Sequence, residues 1–321
     1  MKKGQIGIEL GTRNLRICIQ GKEQFLKMKN LIAMDCYGKI SAIGNEAFLM
    51  LEKEPREIQM IAPVHCGVIG DYTNMRLLLT SVFRKYFRHF RKYTVNVAIP
   101  VDITGVERRA FSDLIWESVR HLREVHLIPK PVLAAMGNGI DVSKPSGNLI
   151  VDFGAGTTEI SVISLGGIVS SRLIPFGGNQ IDQWLVHQMK REYNINIGKK
   201  SAERLKMQYS KCENDKSVII KGRDLVSGLP RKTWVPVLAA EKKVRDYIHE
   251  ITMETKALLE IVPPELASDI IAHGIYTSGG GAAFSKAESW MEEELGIQVH
   301  SMKEPEDSVI RGLKILIDEC K

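Results

Sequence analysis

The sequence predicts an α/β protein built from two similar lobes, and two observations carry that prediction. The first is a pair of related hairpins, far apart in the chain, in which an apolar strand ends in an acid and a Gly-rich turn leads into a second strand: Ile6–Ile19 and Leu149–Ile163. The second is the alternation of strand-like and helix-like segments, which favours parallel or mixed sheets covered by helices. The repeated hairpin indicates a duplicated fold with a ligand cleft between its halves.

The turn of the second hairpin has the composition of a phosphate loop. Glycine has no Cβ, so the backbone N–H groups from Gly154 to Thr157 can approach phosphate oxygens closely. Asp152 ends a buried strand, where it is placed to hold Mg²⁺ through water. The first hairpin repeats this pattern, with Glu9 as its acid. A single Gly-rich hairpin is more often a plain turn, and the repeat is what favours phosphate binding.

Composition restricts the class of protein. The 321 residues, 44% hydrophobic and 26% charged, are typical of a soluble globular protein with sizeable cores. Five scattered cysteines without metal-type spacing predict reduced thiols in the cytosol. No apolar run in the sequence is long enough to span a membrane, and charges interrupt the segment after the signal-like start Met1-Lys2-Lys3. We therefore expect a cytoplasmic protein, whose net charge of +6 would favour an anionic surface without requiring nucleic acid.

The elements of the first lobe follow in order. The segment 25–61 is mixed, with a helical patch at 46–52. Asp71 is a helix cap, ahead of apolar residues that recur with a period near 3.6 through Tyr86 and Phe90. The remaining predicted elements alternate between strand and helix: a strand at Val95–Pro100, a helix from about Gly105 to His121, a strand at Val125–Ile128 and a helix at Val132–Gly139.

The end of the helix after Asp71 interleaves five fixed positive charges with five aromatic residues, over Phe83–Tyr93. One interpretation is a core-facing aromatic stripe with cations on the solvated face. The alternative is contact with an anionic membrane surface, because Phe87 and Tyr93 fall off the main stripe. Nucleic-acid binding is a third alternative. The candidate membrane residues are Phe87, Arg88, Phe90, Arg91, Lys92 and Tyr93.

In the second lobe, Gly177-Gly178 opens a helix and either offers amides to phosphate or makes a plain turn. A helical pattern from Lys199 to Lys211 places Glu203 and Lys206 one turn apart, where they could pair with each other. A strand at 275–278 runs into three glycines, which either form a backbone wall for a flat ligand or a flexible turn. The other predicted elements are a β-rich unit over 217–234, a helix from about Leu238 to Ile261 and a closing helix at Ser308–Glu319.

Together these segments resemble the MreB family of bacterial actin homologues. The resemblance spans nearly the whole chain in collinear order, whereas the loops alone would indicate only the wider actin, Hsp70 and sugar-kinase superfamily. It implies an actin-like, two-lobed α/β fold with duplicated, RNase H-like nucleotide-binding halves and four subdomains. Besides the paired loops, it is carried by Val106–Arg109, Ile163–Val169, Gly177-Gly178, Ala202–Lys206, Pro263–Asp269 and Ser278–Ala282.

The resemblance also implies domain boundaries. The first lobe would cover 1–140, with an inserted subdomain at about 24–66 and with the C-terminal helix 305–321 returning to it. The second lobe would cover 141–304, with an insert at about 179–237. The halves would move as hinged rigid bodies around the nucleotide cleft.

The ligands and partners follow from the same resemblance. ATP or GTP would lie between the lobes, with Mg²⁺ beside Glu9 and Asp152. The chain would form homopolymeric filaments at the inner face of the membrane, together with membrane-bound cell-shape and cell-wall synthesis proteins and without nucleic acid. The implied nucleotide-binding residues are Gly11, Thr12, Arg13, Asn14, Gly154, Ala155, Gly156, Thr157, Gly177, Gly178, Glu203, Arg204, Lys206, Gly279, Gly280, Gly281 and Ala282.

Several residues depart from the family's pattern. Glu9 stands where Asp is usual, and Ala155 replaces a glycine. The larger departure is Lys130, where relatives carry the glutamate that orients the water attacking the γ-phosphate. A charged lysine offers no acceptor to that water, so the sequence predicts slow or absent hydrolysis, with Lys130 neutralising γ-phosphate charge instead. The alternative is that Lys130 points to solvent and another group positions the water.

Two other classes of protein stay open at this stage. A sugar or metabolite kinase of the same superfamily would need a carboxylate base facing a hydroxyl substrate, and no segment clearly supplies one. A chaperone-like ATPase would carry a separate substrate-binding domain, which the sequence lacks.

Overall fold

The computed structural model describes residues 4–87, 92–209, 217–284, 286–302 and 304–319. Its strands, in chain order, are β1 (Gly4–Leu10), β2 (Asn14–Ile19), β3 (Leu26–Lys29), β4 (Ile32–Asp35), β5 (Ile40–Ile43), β6 (Ile58–Ile61), β7 (Val64–His65), β8 (Val68–Ile69), β9 (Tyr93–Ile99), β10 (Leu122–Pro129), β11 (Asn148–Phe153), β12 (Thr158–Ser164), β13 (Gly167–Ile174), β14 (Ile195–Asn196), β15 (Ser217–Asp224), β16 (Pro230–Pro236), β17 (Ile275–Ser278) and β18 (Val299–Ser301). The helices are α1 (Gly44–Met50), α2 (Tyr72–Tyr86), α3 (Gly105–Ser118), α4 (Lys130–Gly137), α5 (Gly178–Tyr193), α6 (Lys199–Tyr209), α7 (Glu241–Ile261), α8 (Pro264–His273), α9 (Ala287–Leu295) and α10 (Ser308–Glu319).

Two five-stranded sheets with the same topology form the centres of the two lobes. One has the order β10-β9-β1-β2-β3 and the other the order β18-β17-β11-β12-β13. In each, the first hairpin is antiparallel, and its first strand pairs on the other side with a parallel strand that comes later in the chain. The predicted duplication and the two-lobed α/β fold are confirmed.

The sheets are buried because their strands are almost wholly apolar and covered by helices on their faces. Every residue of β11, for example, is buried. Helices α4 and α10 share a core with residues of both sheets, and the two helices cross unusually closely. A Cβ added to Gly312 would overlap the backbone of Leu133, and one added to Gly137 would overlap Ser308. Glycine at these two places lets the helix backbones touch, and this contact fixes the position of α4, whose first residue is Lys130.

Two small three-stranded sheets, β5-β4-β6 and β14-β15-β16, extend from the lobes. The start of α6, which packs on the second of these sheets, contacts the end of α1, which packs on the first. The backbone N–H of Lys200 donates to Glu52 Oε1 at 3.1 Å, and the Lys200 ammonium lies 4.6 Å from the centre of the Phe48 ring. These contacts join the two lobes at a second place, away from the α4–α10 crossing.

Most predicted elements are present, with shifted bounds. The predicted cap of α2 is confirmed, since the Asp71 carboxylate accepts from the Asn74 N–H at 3.0 Å. Tyr86 is 47% exposed, so its assignment to the buried stripe of α2 is wrong. The helix predicted from Leu238 begins at Glu241, after a 3-10 turn. The helix predicted from Val132 begins two residues earlier, which makes Lys130 its first residue.

The aromatic residues proposed to leave the stripe near Tyr93 pack into the protein. Phe87 is 9% exposed, and its ring centre lies 4.7 Å from that of Phe83. Tyr93 belongs to β9 and packs on the same core. The prediction that these two side chains fall off the core-facing stripe is wrong, because Phe87 lies one helical turn after Phe83 and Tyr93 is the first residue of β9. Lys92 is exposed, whereas Arg88, Phe90 and Arg91 lie outside the described residues.

None of the helices in the described ranges combines the length and apolar character needed to cross a membrane.

Candidate functional site

The turns of the two hairpins have the same geometry. In the first, the N–H of Gly11 donates to the Asn14 carbonyl at 2.9 Å, and in the second the N–H of Gly154 donates to the Thr157 carbonyl at 2.9 Å. A Cβ would come within 2.9 Å of the carbonyl oxygen at Gly11 and 2.6 Å at Gly154, so each turn requires glycine at its first position. The acid–x–Gly pattern of the sequence therefore encodes the same tight turn twice.

The two turns face each other across the cleft. A Cβ on Gly156 would lie 3.0 Å from Thr12 Oγ1 and 3.1 Å from the Cα of Cys66. The Thr12 hydroxyl itself accepts from the N–H of Gly67 at 3.0 Å. The arrangement brings the two turns, with the backbone amides and hydroxyls that they carry, close together, and such groups suit phosphate oxygens.

The glycine pair at the start of α5 braces the second turn. The N–H of Gly178 donates to the Gly154 carbonyl at 3.1 Å, and the N–H of Asn179 donates to the Ala155 carbonyl at 2.8 Å. A Cβ on Gly177 would lie 2.7 Å from the same Gly154 oxygen. These two amides are thus used inside the protein, and the pair holds the loop in place.

The triple glycine after β17 packs against the end of β11. Gly279 has a φ of +81°, and a Cβ there would lie 2.8 Å from Asp152 Oδ1. A Cβ on Gly281 would lie 2.7 Å from that of Phe153. Gly280 has no atom within 4 Å of the place of its Cβ, so it leaves open space after the end of β17, while the nearby Ala282 is buried.

Each predicted metal-ligating acid is buried and held by a neighbour. Glu9 accepts from Arg16 at 3.0 Å across the β1–β2 hairpin, and Arg16 also contacts Asp307 at 3.1 Å. Asp152 Oδ1 accepts from the Ser278 hydroxyl at 2.7 Å. Burial raises the pKa of Glu9, against the opposing effect of Arg16.

The second oxygen of Glu9 tests whether these residues fit a divalent cation. Glu9 Oε2 is buried and has no hydrogen-bond partner among the described residues, so it can accept from the water of a hydrated ion. No three His, Cys, Asp or Glu side chains come together as a metal cage in the described parts of the chain. The residues fit an ion held through water and through a ligand's own phosphates.

Lys130 is enclosed, and its ammonium faces the second lobe. Its side chain is 8% exposed, and Nζ lies 3.6 Å from Glu159 Oε1. The other oxygen of Glu159 accepts from the N–H of Val101 at 2.9 Å. Burial alone would lower the pKa of Lys130, but Glu159, Asp152 and Glu9 outweigh it and raise that pKa above its ordinary value. The alternative that Lys130 points to solvent is wrong.

Glu159 is a residue of this site that the sequence reasoning missed. It stands opposite Asp152 in the register of β11 and β12, as Arg16 stands opposite Glu9 in β1 and β2. Residues that pair across two antiparallel strands project to the same face of the sheet. In a hairpin, two residues pair when they are equally far from the turn, so sequence position alone indicates which side chain faces each acid. The sequence therefore does carry a signal for Glu159, in the equivalent positions of the two hairpins.

Arg13, in the first turn, pairs with acids of the second lobe. Its guanidinium contacts Glu203 and lies 3.7 Å from Asp182. Asp182 also binds the buried Lys206 ammonium at 2.8 Å, so Glu203 and Lys206 each have a different partner and do not form the surface pair considered above. Arg204 points away from the turns and donates to the carbonyl of Ile219 at 3.0 Å.

The chain is similar to known proteins over nearly its whole length. The family model described as MreB/Mbl protein matches residues 3–321. The cell shape-determining protein Mbl of Bacillus subtilis (strain 168) is 36% identical over 98% of this chain and 95% of its own. The cell shape-determining protein MreB of Escherichia coli (strain K12) is 34% identical over 97% of this chain and 92% of its own.

Solved structures agree with this relation. MreB5 of Spiroplasma citri bound to AMPPNP has a TM-score of 0.92 and 31% identity, covering 98% of this chain and 96% of its own. A MamK double helical filament has a TM-score of 0.82 at 20% identity, over 100% of both chains, and supports the actin-like fold alone. On its sequence, its duplicated sheets and its paired turns, this chain belongs to the MreB/Mbl family.

Proposed function

We propose that this chain binds ATP with Mg²⁺ between its two lobes and assembles into actin-type filaments that determine cell shape at the inner face of the membrane. The observation that carries the proposal is the pair of matching turns, Gly11–Asn14 and Gly154–Thr157, which lie next to each other across the cleft. The relatives named above are cell shape-determining proteins, and MreB5 of Spiroplasma citri has been solved with AMPPNP and with ADP. A kinase has no comparable support, because the family match spans the whole chain.

The base and ribose end of the nucleotide would lie against the second lobe. Gly280 leaves open space at the end of β17, which suits a flat ring. Glu203 carries a carboxylate for the ribose hydroxyls, and Arg13, which now pairs with it, would be released toward the phosphates when a ribose takes its place.

Hydrolysis would be slow because Lys130 stands where the water-orienting acceptor is expected. An ammonium fixed beside Glu159 donates hydrogen bonds and accepts none, so it cannot draw a proton from an attacking water. Lys130→Glu restores an acceptor and is expected to raise phosphate release. An unchanged rate in a folded variant removes Lys130 as the cause.

Membrane contact has an exposed candidate surface on the β15–β16 hairpin. Ile219 and Trp234 pair across the strands and are 42% and 65% exposed, and Lys221 pairs with Lys232 one step further along the same face. Apolar side chains beside lysines suit an anionic headgroup layer. This face would supply the apolar contact that the buried Phe87 does not.

A pelleting assay tests the whole proposal. Purified protein would be centrifuged with Mg-ATP, with Mg-GTP and without nucleotide, and phosphate release would be read from the same tubes. We expect nucleotide-dependent pelleting with little phosphate release. A chain that stays in the supernatant under all conditions, or that transfers phosphate to sugars, would contradict the filament proposal.

Two variants make the assay specific. Gly156→Val would drive a side chain into Thr12 and is expected to abolish the nucleotide effect, whereas Gly105→Ala, whose Cβ has no atom within 4 Å, is the matched control. With anionic and neutral liposomes, Trp234→Ser would reduce co-sedimentation with the anionic ones. Equal binding to both liposomes would contradict the membrane part alone.

A further inference from the structure

The ammonium of Lys130 is an enclosed cation with unused hydrogen-bond donors. Its side chain is 8% exposed, and its contact with Glu159, at 3.6 Å, is an ion pair too long for a hydrogen bond. It makes no hydrogen bond to any other described residue. Leaving the N–H groups of a buried ammonium without acceptors is unfavourable, so the site favours a ligand that brings acceptor oxygens.

In the described structure the acids around Lys130 accept no hydrogen bond from its ammonium, although Glu9 Oε2 and Glu159 Oε1 are themselves without a hydrogen-bond partner, and each acid is held by another donor. Glu9 is held by Arg16 at 3.0 Å, Asp152 by the Ser278 hydroxyl at 2.7 Å and Glu159 by the Val101 N–H at 2.9 Å. Their negative charge nevertheless keeps Lys130 protonated. The result is a permanent positive charge, fixed between the lobes, next to the two turns.

Phosphate oxygens satisfy this requirement directly. They are strong acceptors, and hydrogen bonds from an ammonium to them are stronger than neutral ones. In most nucleotide-binding proteins a divalent cation neutralises the negative charge of the β- and γ-phosphates. Here a side chain of the protein already provides a cation at the phosphate end of the cleft.

We propose that the Lys130 ammonium takes over part of the charge neutralisation that a divalent cation provides, so that nucleotide binding by this chain depends only weakly on Mg²⁺. The inference rests on the proposed nucleotide binding and concerns the residue that supports it. Mg²⁺ can still bind beside Glu9 and Asp152, but its removal leaves Lys130 in contact with the phosphates.

Nucleotide affinity, measured with and without the ion, tests this inference. A fluorescent ATP analogue would be titrated into the full-length protein in excess Mg²⁺ and again in excess EDTA. We expect the wild-type dissociation constant to rise less than about 3-fold in EDTA, and that of Lys130→Met to rise about 10-fold or more, the equivalent of one lost charge-assisted contact. Because Met has a similar length and no charge, the comparison isolates the ammonium.

The outcomes separate the inference from the proposed function. A rise of about 10-fold or more for both proteins would overturn the inference and leave nucleotide binding intact. No binding by the wild type in either buffer would overturn the proposed function, and the inference with it.

A second variant covers the case in which Lys130→Met does not fold, since it leaves Glu159 unpaired. Lys130→Met with Glu159→Gln removes both charges and preserves the acceptor for the Val101 N–H. The inference predicts that nucleotide binding by this double variant depends as strongly on Mg²⁺ as binding by Lys130→Met does.

A separate measurement uses Mg²⁺ alone, without nucleotide. Mg²⁺ should raise the melting temperature of Lys130→Glu, because this substitution adds a fourth carboxylate to the site, and should leave that of the wild type unchanged. Equal shifts of the melting temperature in both proteins would contradict the proposal that the Lys130 ammonium takes the place of the ion.

Discussion

The ion pair between Lys130 and Glu159 joins the two lobes, and its removal is expected to destabilise the fold in a way that a double-mutant cycle can measure. At the observed 3.6 Å, two unit charges attract by about 4–5 kcal/mol at an effective dielectric constant of about 20. Desolvation offsets much of this gain, but breaking a buried pair by removing one partner still costs about 3–5 kcal/mol, because the other charge is left uncompensated. Glu159→Gln and Lys130→Met should each lower the free energy of unfolding by about 3 kcal/mol.

The double variant should lose much less than the sum of the two single losses, because it leaves no unpaired charge. The measurement is urea unfolding without nucleotide, followed by circular dichroism, with a coupling energy of at least about 2 kcal/mol expected. The exposed pair of Arg76 and Glu117, at 3.0 Å, is the matched control, and its coupling should stay below about 1 kcal/mol. Additive losses at Lys130 and Glu159 would refute the reasoning.

Three further predictions test the packing, the charge and the cleft. Gly312→Ala should cost at least about 3 kcal/mol, because its Cβ meets the backbone of α4, whereas Gly105→Ala should melt like the wild type in a thermal scan. Burial and the nearby Arg13 lower the pKa of Lys29 to about 8, so the unfolded chain binds more protons than the native one between about pH 8 and 10, and stability should rise with pH in that window. Lys29→Met should therefore have a free energy of unfolding about 1–2 kcal/mol higher than the wild type at pH 7, once solvent screening is allowed for. That difference should disappear by about pH 10. Equal dependence of stability on pH in the two proteins would contradict this prediction. Cys66, exposed beside Gly156, should be alkylated slowly when nucleotide is bound, while the exposed Cys36 reacts at an unchanged rate, as peptide mass spectrometry can show.

The fold was predictable because its main signals are local. Each of the two hairpin turns is encoded within a few residues, by a glycine that must approach a carbonyl three residues later. The helix caps are local too, as at Asp71. The duplication is visible when the hairpins Ile6–Ile19 and Leu149–Ile163 are compared. The resemblance to the MreB family indicated the order of the elements between them.

The partners of the site residues were not predictable in the same way. Arg16 contacts Asp307, and Arg13 contacts Glu203, from opposite parts of the sequence. Such pairs depend on how the two lobes dock, which no pattern within one segment specifies. Phe87 is a different case, because it lies one helical turn after Phe83 and packs on that ring, a neighbour that helical spacing itself indicates.

The equivalence of the two hairpins explains why a lysine is tolerated at 130. In the first hairpin Glu9 faces a cation, Arg16, but in the second Asp152 faces another acid, Glu159. Like charges opposite each other on neighbouring strands are destabilising, and the ammonium arriving from α4 of the other lobe offsets that repulsion.

We therefore expect that position 130 can carry a carboxylate if the positive charge is transferred to position 159 and not removed. Lys130→Glu alone places a further acid beside Glu159 and should lower the melting temperature strongly, whereas Lys130→Glu with Glu159→Lys keeps one ion pair at the same place and should recover most of that loss. The swapped protein also presents an acceptor at 130, so its phosphate release should exceed that of the wild type if the lysine is what slows hydrolysis. Thermal unfolding and phosphate release on the three proteins decide between the two effects. A swapped protein no more stable than Lys130→Glu would show that the position of the charge, and not its pairing, is what the fold requires.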